Sequence, residues 1–211
     1  PEWRNVLDAQ LVPYLADHVV GGEVVVPATA LAEMMLAVAR DLWGDGGVCV
    51  EDFDILQPLV IGADEQREIS TRLISDPASV EVWSRPRFSP DEWNMHARGR
   101  IARAPKLRGA PPALTDLTVA HDDADEIYRK ARQSDIEYGP AFSLLKSLRR
   151  QGEEILETRL AVPAAGTGAY TKPQVLHPAS VDAAFHGLFD YVTEGDENTK
   201  TWLPIRFERL T

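Results

Sequence analysis

The segment from Ala28 to Trp43 constrains the fold of this chain more than any other. Leu31, Met34, Met35, Val38 and Leu42 recur at three- and four-residue spacing. That spacing draws one apolar stripe along a helix, and such a stripe must be buried. Pro27 stands in the first turn, where a missing N–H costs nothing, and Gly44, Gly46 and Gly47 end the helix. Val24–Val26 ahead of it reads as a short buried strand. Behind it come four strand-like runs, at residues 48–61, 68–75, 80–85 and 93–104, in which β-branched and aromatic residues alternate with polar ones. A long helix followed by antiparallel strands able to wrap it predicts an α+β unit with the helix inside the sheet.

The order of elements then recurs. Pro105, Gly109, Pro111 and Pro112 mark a linker over residues 105–118. Beyond it a helix is expected over 122–133, a strand over 155–162 and a Gly/Ala/Pro loop over 163–173. A second apolar helix is expected over 179–191, with Val181, Ala184, Phe185, Leu188 and Phe189 on its buried side, and then a strand over 202–210. The chain therefore divides into a first half (1–104), a linker (105–118) and a second half (119–211). The second helix is followed by a single strand run, so the second half reads as the smaller one, or as lacking its last strands.

Composition excludes several classes of function. A formal net charge of -11 argues against a nucleic-acid surface, which needs clustered Lys and Arg. A single cysteine, Cys49, leaves no intramolecular disulfide and no Cys-based metal site, and fits a reducing, cytoplasmic setting. No signal-peptide pattern opens the chain, and no apolar run approaches a membrane span. Neither a G-x-G-x-x-G nor a P-loop is present.

Four stretches can carry chemistry. In the first, His18 precedes a Gly21–Gly22 pair, a buried strand and Pro27 at a helix start. Such a histidine is often structural, but the glycines allow a ligand close to the backbone, and a helix N-terminus can polarise a carbonyl. In the second, Asp182 and His186 lie four apart on one helical face, after His177 and Pro178. The aspartate is either a partner of the helix dipole or, among apolar neighbours, a candidate acid. Tyr138-Gly139-Pro140-Ala141-Phe142 and Leu203-Pro204 with Arg209 read, on their own, as a turn and a strand. Asp182 and His186 lack a third ligand at a recognisable spacing, so no metal site is expected. His96 fits a structural place in a strand, and His121, in an acidic stretch, an exposed one.

Together these stretches resemble the dehydratase domains of modular polyketide synthases. His18, Gly22 and Pro27 match H-x-x-x-G-x-x-x-x-P, and Tyr138, Gly139, Pro140 and Phe142 match Y-G-P-x-F. Asp182 and His186 match D-x-x-x-Q/H, and Leu203, Pro204 and Arg209 match L-P-x-x-x-x-R. The resemblance implies a double hotdog fold, two helix-in-sheet units side by side, with an active site between them. It implies removal of water from a 3-hydroxyacyl chain on an acyl carrier protein, with His18 as base and Asp182 as acid. His186 and Tyr138 would orient Asp182 and the substrate hydroxyl, and the Gly22 N–H or the helix starting near Pro27 would polarise the thioester. The substrate would arrive on a phosphopantetheine arm with no separate cofactor. Partners would be the carrier protein, docking at Arg206 and Arg209, with Arg149 and Arg150 behind them, the neighbouring synthase domains and a second copy in a homodimer. A pyran-forming cyclase or a double-bond isomerase of the same fold, and a catalytically silent interaction domain, are the competing readings.

Overall fold

The computed structural model describes residues 1–62, 64–74, 78–105, 117–121, 123–152, 155–162, 174–191 and 203–211. Most of the expected linker, the loop over 163–173 and the start of the expected strand at residue 202 lie outside these residues.

The chain begins with β1 (Glu2–Leu7), a 3-10 turn (Pro13–Asp17), β2 (His18–Val20) and β3 (Glu23–Val25). Then comes α1 (Ala28–Trp43), where the apolar periodicity places it. Leu31, Met35, Leu36, Val38 and Ala39 are buried along it, whereas Leu42 at the helix end is exposed. Pro27 is the N-cap, one residue outside the helix, and Gly44 closes it at a φ of 77°. The run expected over 48–61 divides into β4 (Val48–Ile55) and β5 (Val60–Ile61). The break falls beside Pro58, which has no N–H to continue a ladder. Next are β6 (Arg67–Ile74), β7 (Ser79–Pro86) and β8 (Asn94–Arg103), which hydrogen-bond in antiparallel order and wrap α1. Ile69, Val80, Val82, Ala97 and Ile101 pack on the helix with Phe53.

The second half contributes β9 (Thr118–His121), α2 (Asp125–Gln133), β10 (Ile136–Tyr138), β11 (Leu145–Gln151) and β12 (Ile155–Leu160). These are followed by α3 (Pro178–Phe185), a 3-10 turn (His186–Tyr191) and β13 (Arg206–Leu210). The sheet β12-β11-β9 covers a smaller core of Ile127, Ala131, Ile136, Leu145, Leu148 and Phe189. The fold is α+β, a double hotdog of unequal units: six strands in one sheet and, among the described residues, three in the other.

Three expectations are corrected. First, α3 turns Ala179 and Ala183 inward, into the core around α1, and leaves Phe185 and Leu188 exposed. The small alanines let α3 approach α1 closely, and the outward Phe185 ring lies 5.3 Å from that of Phe207. Second, β13 does not join the second sheet; it extends the first one by pairing with β4, with Phe207 opposite Phe53. Their rings stack at 5.9 Å. Third, His121 is half-buried, its Nε2 2.8 Å from the buried Asp190 carboxylate.

A small sheet, β10-β2-β3-β5, joins the two halves. Its register sets Tyr138 opposite His18, so strand pairing itself delivers a residue of the second half to the side of the histidine in the first.

Candidate active site

His18 starts β2 and is buried. Its Nδ1 lies 2.7 Å from the carbonyl oxygen of Val25, across the β2–β3 hairpin. A carbonyl can only accept, so Nδ1 carries the hydrogen, and in the neutral ring Nε2 holds the lone pair. Burial pushes the His18 pKa below the ordinary value, against the opposing pull of the nearby Asp182 charge. Neutral imidazole with a free Nε2 is the form that accepts a proton.

Nε2 faces Asp182 Oδ2 at 3.9 Å. That is too long for a hydrogen bond and leaves the two groups able to act on different atoms of one small molecule. Asp182 sits mid-way along α3, and His186, one turn on, brings Nε2 to 3.0 Å from the same Oδ2. The spacing read from sequence is therefore realised as a contact. The hydroxyl of Tyr128, from α2, reaches His186 Nδ1 at 3.4 Å and accepts the Leu145 N–H at 2.9 Å. Burial raises the Tyr128 phenol to about 12, so it keeps its proton.

Tyr138 lies against the His186 ring at a tilt of 31°, centroids 3.8 Å apart, and 5.6 Å from the His18 ring. Burial, with the Asp182 charge adding to it, holds its phenol above the ordinary value. Phe142, fully buried, closes the apolar wall 5.1 Å from His18.

Asp17 explains the turn that carries these rings. Its backbone carbonyl accepts the Gly139 N–H at 2.7 Å, and its Oδ2 accepts the Ala141 N–H at 2.7 Å. A Cβ at Gly139 would stand 2.4 Å from Asp17 Oδ1, so only glycine fits. A second clamp comes from α1. Glu33 accepts the Val175 and Leu176 N–H groups at 2.8 and 2.7 Å, and Thr29 Oγ1 donates to the Pro178 carbonyl at 3.0 Å. The peptide leading into α3 is thus fastened to the helix that follows His18. His177 caps α3, accepting the Ser180 N–H at 3.4 Å.

The structure brings together His18, Asp182, His186 and Tyr138. It does not bring Gly22 to them. Gly21 and Gly22 form the exposed tip of the β2–β3 hairpin at φ of 59° and 80°, values that a two-residue turn demands and side chains resist. Arg206 and Arg209 are also elsewhere. On β13 they pair with the acidic row of β4, Arg206 with Asp52 and Asp54 at 2.8 Å and Arg209 with Glu51 at 2.7 Å. Their charge is answered within the sheet, which weakens them as a docking patch, and Arg150 is likewise paired with Asp190. His96 is buried and held by Ser84 and the Pro58 carbonyl, a structural place as expected. Among the described residues no three metal-ligating side chains converge, and no helix is long and apolar enough to cross a membrane.

Comparison with known proteins gives the same family in both halves. Residues 1–85 match the polyketide synthase dehydratase domain, and residues 106–211 match the polyketide synthase dehydratase N-terminal domain. A phenolphthiocerol/phthiocerol polyketide synthase of Mycobacterium tuberculosis is 27% identical over 224 residues, covering 99% of this chain but 12% of that protein. The chain thus spans about an eighth of that relative's length. The dehydratase domain from the CurF module of curacin polyketide synthase superposes with a TM-score of 0.79 at 28% identity, covering 99% of this chain and 76% of that one. The corresponding domain from the CurJ module gives 0.84 at 25% identity, covering 99% and 72%. Matched in both halves, and with His18 and Asp182 facing each other between them, the chain belongs to the polyketide synthase dehydratase family.

Proposed function

We propose that this domain is a hydro-lyase that removes water from a 3-hydroxyacyl thioester, delivered on the phosphopantetheine arm of an acyl carrier protein, to give the 2-enoyl thioester. The observation that carries the proposal is the His18 tautomer: Nδ1–H is committed to the Val25 carbonyl, and a free Nε2 faces Asp182 at 3.9 Å.

His18 Nε2 takes the α-proton, and the C–H electron pair becomes the new C=C bond. The β C–O pair leaves with the hydroxyl, which takes a proton from Asp182 and departs as water. His18 is then protonated and Asp182 ionised, and a proton passing from one to the other restores both. Each positioned group contributes roughly 10²–10⁴-fold. An α-C–H is a weak acid, so the thioester carbonyl must also be polarised. With Gly22 at the hairpin tip, that task is assigned to the first N–H groups of α1, which begins three residues after Val25. No separate cofactor enters this scheme.

His18→Ala and Asp182→Asn are each expected to reduce water loss from a 3-hydroxyacyl carrier-protein substrate by at least about 10²-fold while the chain stays folded. Mass spectrometry reads the loss of water directly, and full activity in either variant would sink the assignment. An isobaric product would point to cyclisation or isomerisation instead, and an unchanged substrate to a silent domain.

A further inference from the structure

We infer that Tyr128 is a positioning residue for the reaction, selecting the His186 tautomer and thereby the oxygen of Asp182 that carries the proton. The inference rests on the proposed dehydration.

Among the described residues, the Tyr128 hydroxyl meets two hydrogen-bonding groups: the Leu145 N–H, which can only donate, and His186 Nδ1. Two arrangements are conceivable. If His186 carried its hydrogen on Nδ1, the Tyr128 oxygen would receive two donors and its own proton would have no acceptor. A half-buried hydroxyl left without a protein acceptor forfeits a hydrogen bond. If instead Tyr128 donates to Nδ1, every proton in the chain has a partner: Leu145 N–H to Tyr128, Tyr128 O–H to His186 Nδ1, and His186 Nε2–H to Asp182 Oδ2. Tyr128 keeps its proton because burial holds the phenol up at about 12.

The consequence reaches the reacting atoms. With Oδ2 engaged as an acceptor, the proton that the proposed reaction draws from Asp182 is carried on Oδ1 and goes from there to the departing hydroxyl. In the other tautomer, His186 Nε2 would hold a lone pair against Oδ2 and draw that hydrogen to itself, away from the substrate. Tyr128 never touches the substrate in this scheme; it decides which side of the carboxyl is the acid.

The test pairs a spectroscopic readout with a mutant cycle on the whole chain. In the ¹⁵N-histidine-labelled protein the five histidines give separable ring-nitrogen signals, and His186→Gln identifies those of His186. The wild type should show His186 as the Nε2–H tautomer, and Tyr128→Phe should shift it toward Nδ1–H or a mixture. With a synthetic 3-hydroxyacyl pantetheine thioester, Tyr128→Phe should lower kcat roughly fivefold to tenfold with little change in KM, the effect of one hydrogen bond. In a His186→Gln chain, whose amide has no tautomer, adding Tyr128→Phe should cost only what stranding the Leu145 N–H costs, a smaller loss than in the wild-type background. The stranded Leu145 N–H is common to both backgrounds and cancels. An Nδ1–H tautomer in the wild type, an unchanged spectrum in Tyr128→Phe, or equal losses in both backgrounds would overturn the inference. A wild type that releases no water would fail the dehydratase reading, while the spectra would still decide the role of Tyr128.

Discussion

The two hotdog units hold their catalytic groups by different means. In the first unit, His18 is fixed by a backbone carbonyl, beside a helix wrapped by a six-stranded sheet. In the second, Asp182 is held by side chains, His186 and behind it Tyr128, and the adjacent turn is pinned by Asp190, which collects His121, Lys130 and Arg150. Backbone anchoring follows from secondary structure and tolerates side-chain change. Side-chain anchoring depends on each partner. The base should therefore be the rigid half of the pair and the acid the tunable one.

The largest expected effect tests whether the first core is the stiffer. Leu36 on α1 and Leu148 on β11 are both fully buried. Leu→Ala in a core costs about 2–5 kcal/mol, more where the surroundings cannot collapse into the space. Leu36→Ala, enclosed by the large sheet, should fall near the upper end and Leu148→Ala, under three strands, near the lower. Denaturant unfolding of both variants reads the difference, and equal losses would break the comparison.

Next in size is the Asp17 clamp, which couples the units beside His18. Gly139→Ala drives a methyl into the Asp17 carboxylate and must release the Ala141 N–H, a charge-assisted bond worth about 1.5–3 kcal/mol. Turnover should fall with stability, because Tyr138 adjoins that turn. Asp17→Gly removes the whole obstructing side chain, its Cβ included, so the double variant should be no worse than Asp17→Gly alone; additive losses would show that the clash is not the cause. A smaller effect is expected at Glu33. Glu33→Gln keeps one acceptor for Val175 and Leu176 and sets an amide donor against the other N–H. A cost of about 1–2 kcal/mol in stability is expected, with kcat lowered more than KM because the peptide leading into α3, and so Asp182, is displaced. A KM effect alone would point to substrate binding instead.

These clamps also show where sequence reading stops. His18, Asp182 and His186 are legible because helical spacing and a strand–glycine–proline context are local patterns, and α1 is legible from periodicity. Asp17, Glu33, Thr29 and Tyr128 act across long separations on backbone N–H and C=O groups or one imidazole, and no local pattern marks them. Tyr128 in particular sits on a short charged helix, where a tyrosine reads as surface. The strand β11, Leu-Lys-Ser-Leu-Arg-Arg-Gln, is hard to see because its polar residues hide the alternation. The inward face of α3 defeats a reading that favours large apolar residues over alanine, because close helix packing prefers the small side chain. The arginines of β13 look free until the pairing with β4 supplies their carboxylates.

The smallest effect distinguishes the two units by pH. Burial lowers the His18 pKa in the folded state, while in the unfolded chain it returns to about 6.5. The unfolded state therefore binds more protons, and the contribution of neutral His18 is present above about pH 6.5 and lost as pH falls toward the folded pKa. Burial raises the Asp190 pKa, but hydrogen bonds from His121 and Arg150 together with their charges outweigh it, so its pKa is lowered. Its contribution is present above about pH 3.9 and lost only as pH falls through a still lower value. Both signs agree, but the windows do not. His96 and His177, also lowered mainly by burial, share the first window, so only a difference curve isolates His18. Thermal unfolding of wild type and His18→Gln should diverge as the buffer is taken from pH 7 to 5, wild type losing more. The gap between wild type and Asp190→Asn should close in stronger acid, as pH falls through the lowered Asp190 pKa. If the His18 curve ran parallel to wild type across pH 5–7, burial would not be what keeps that ring neutral, and the first unit would lose its claim to supply a base ready at neutral pH.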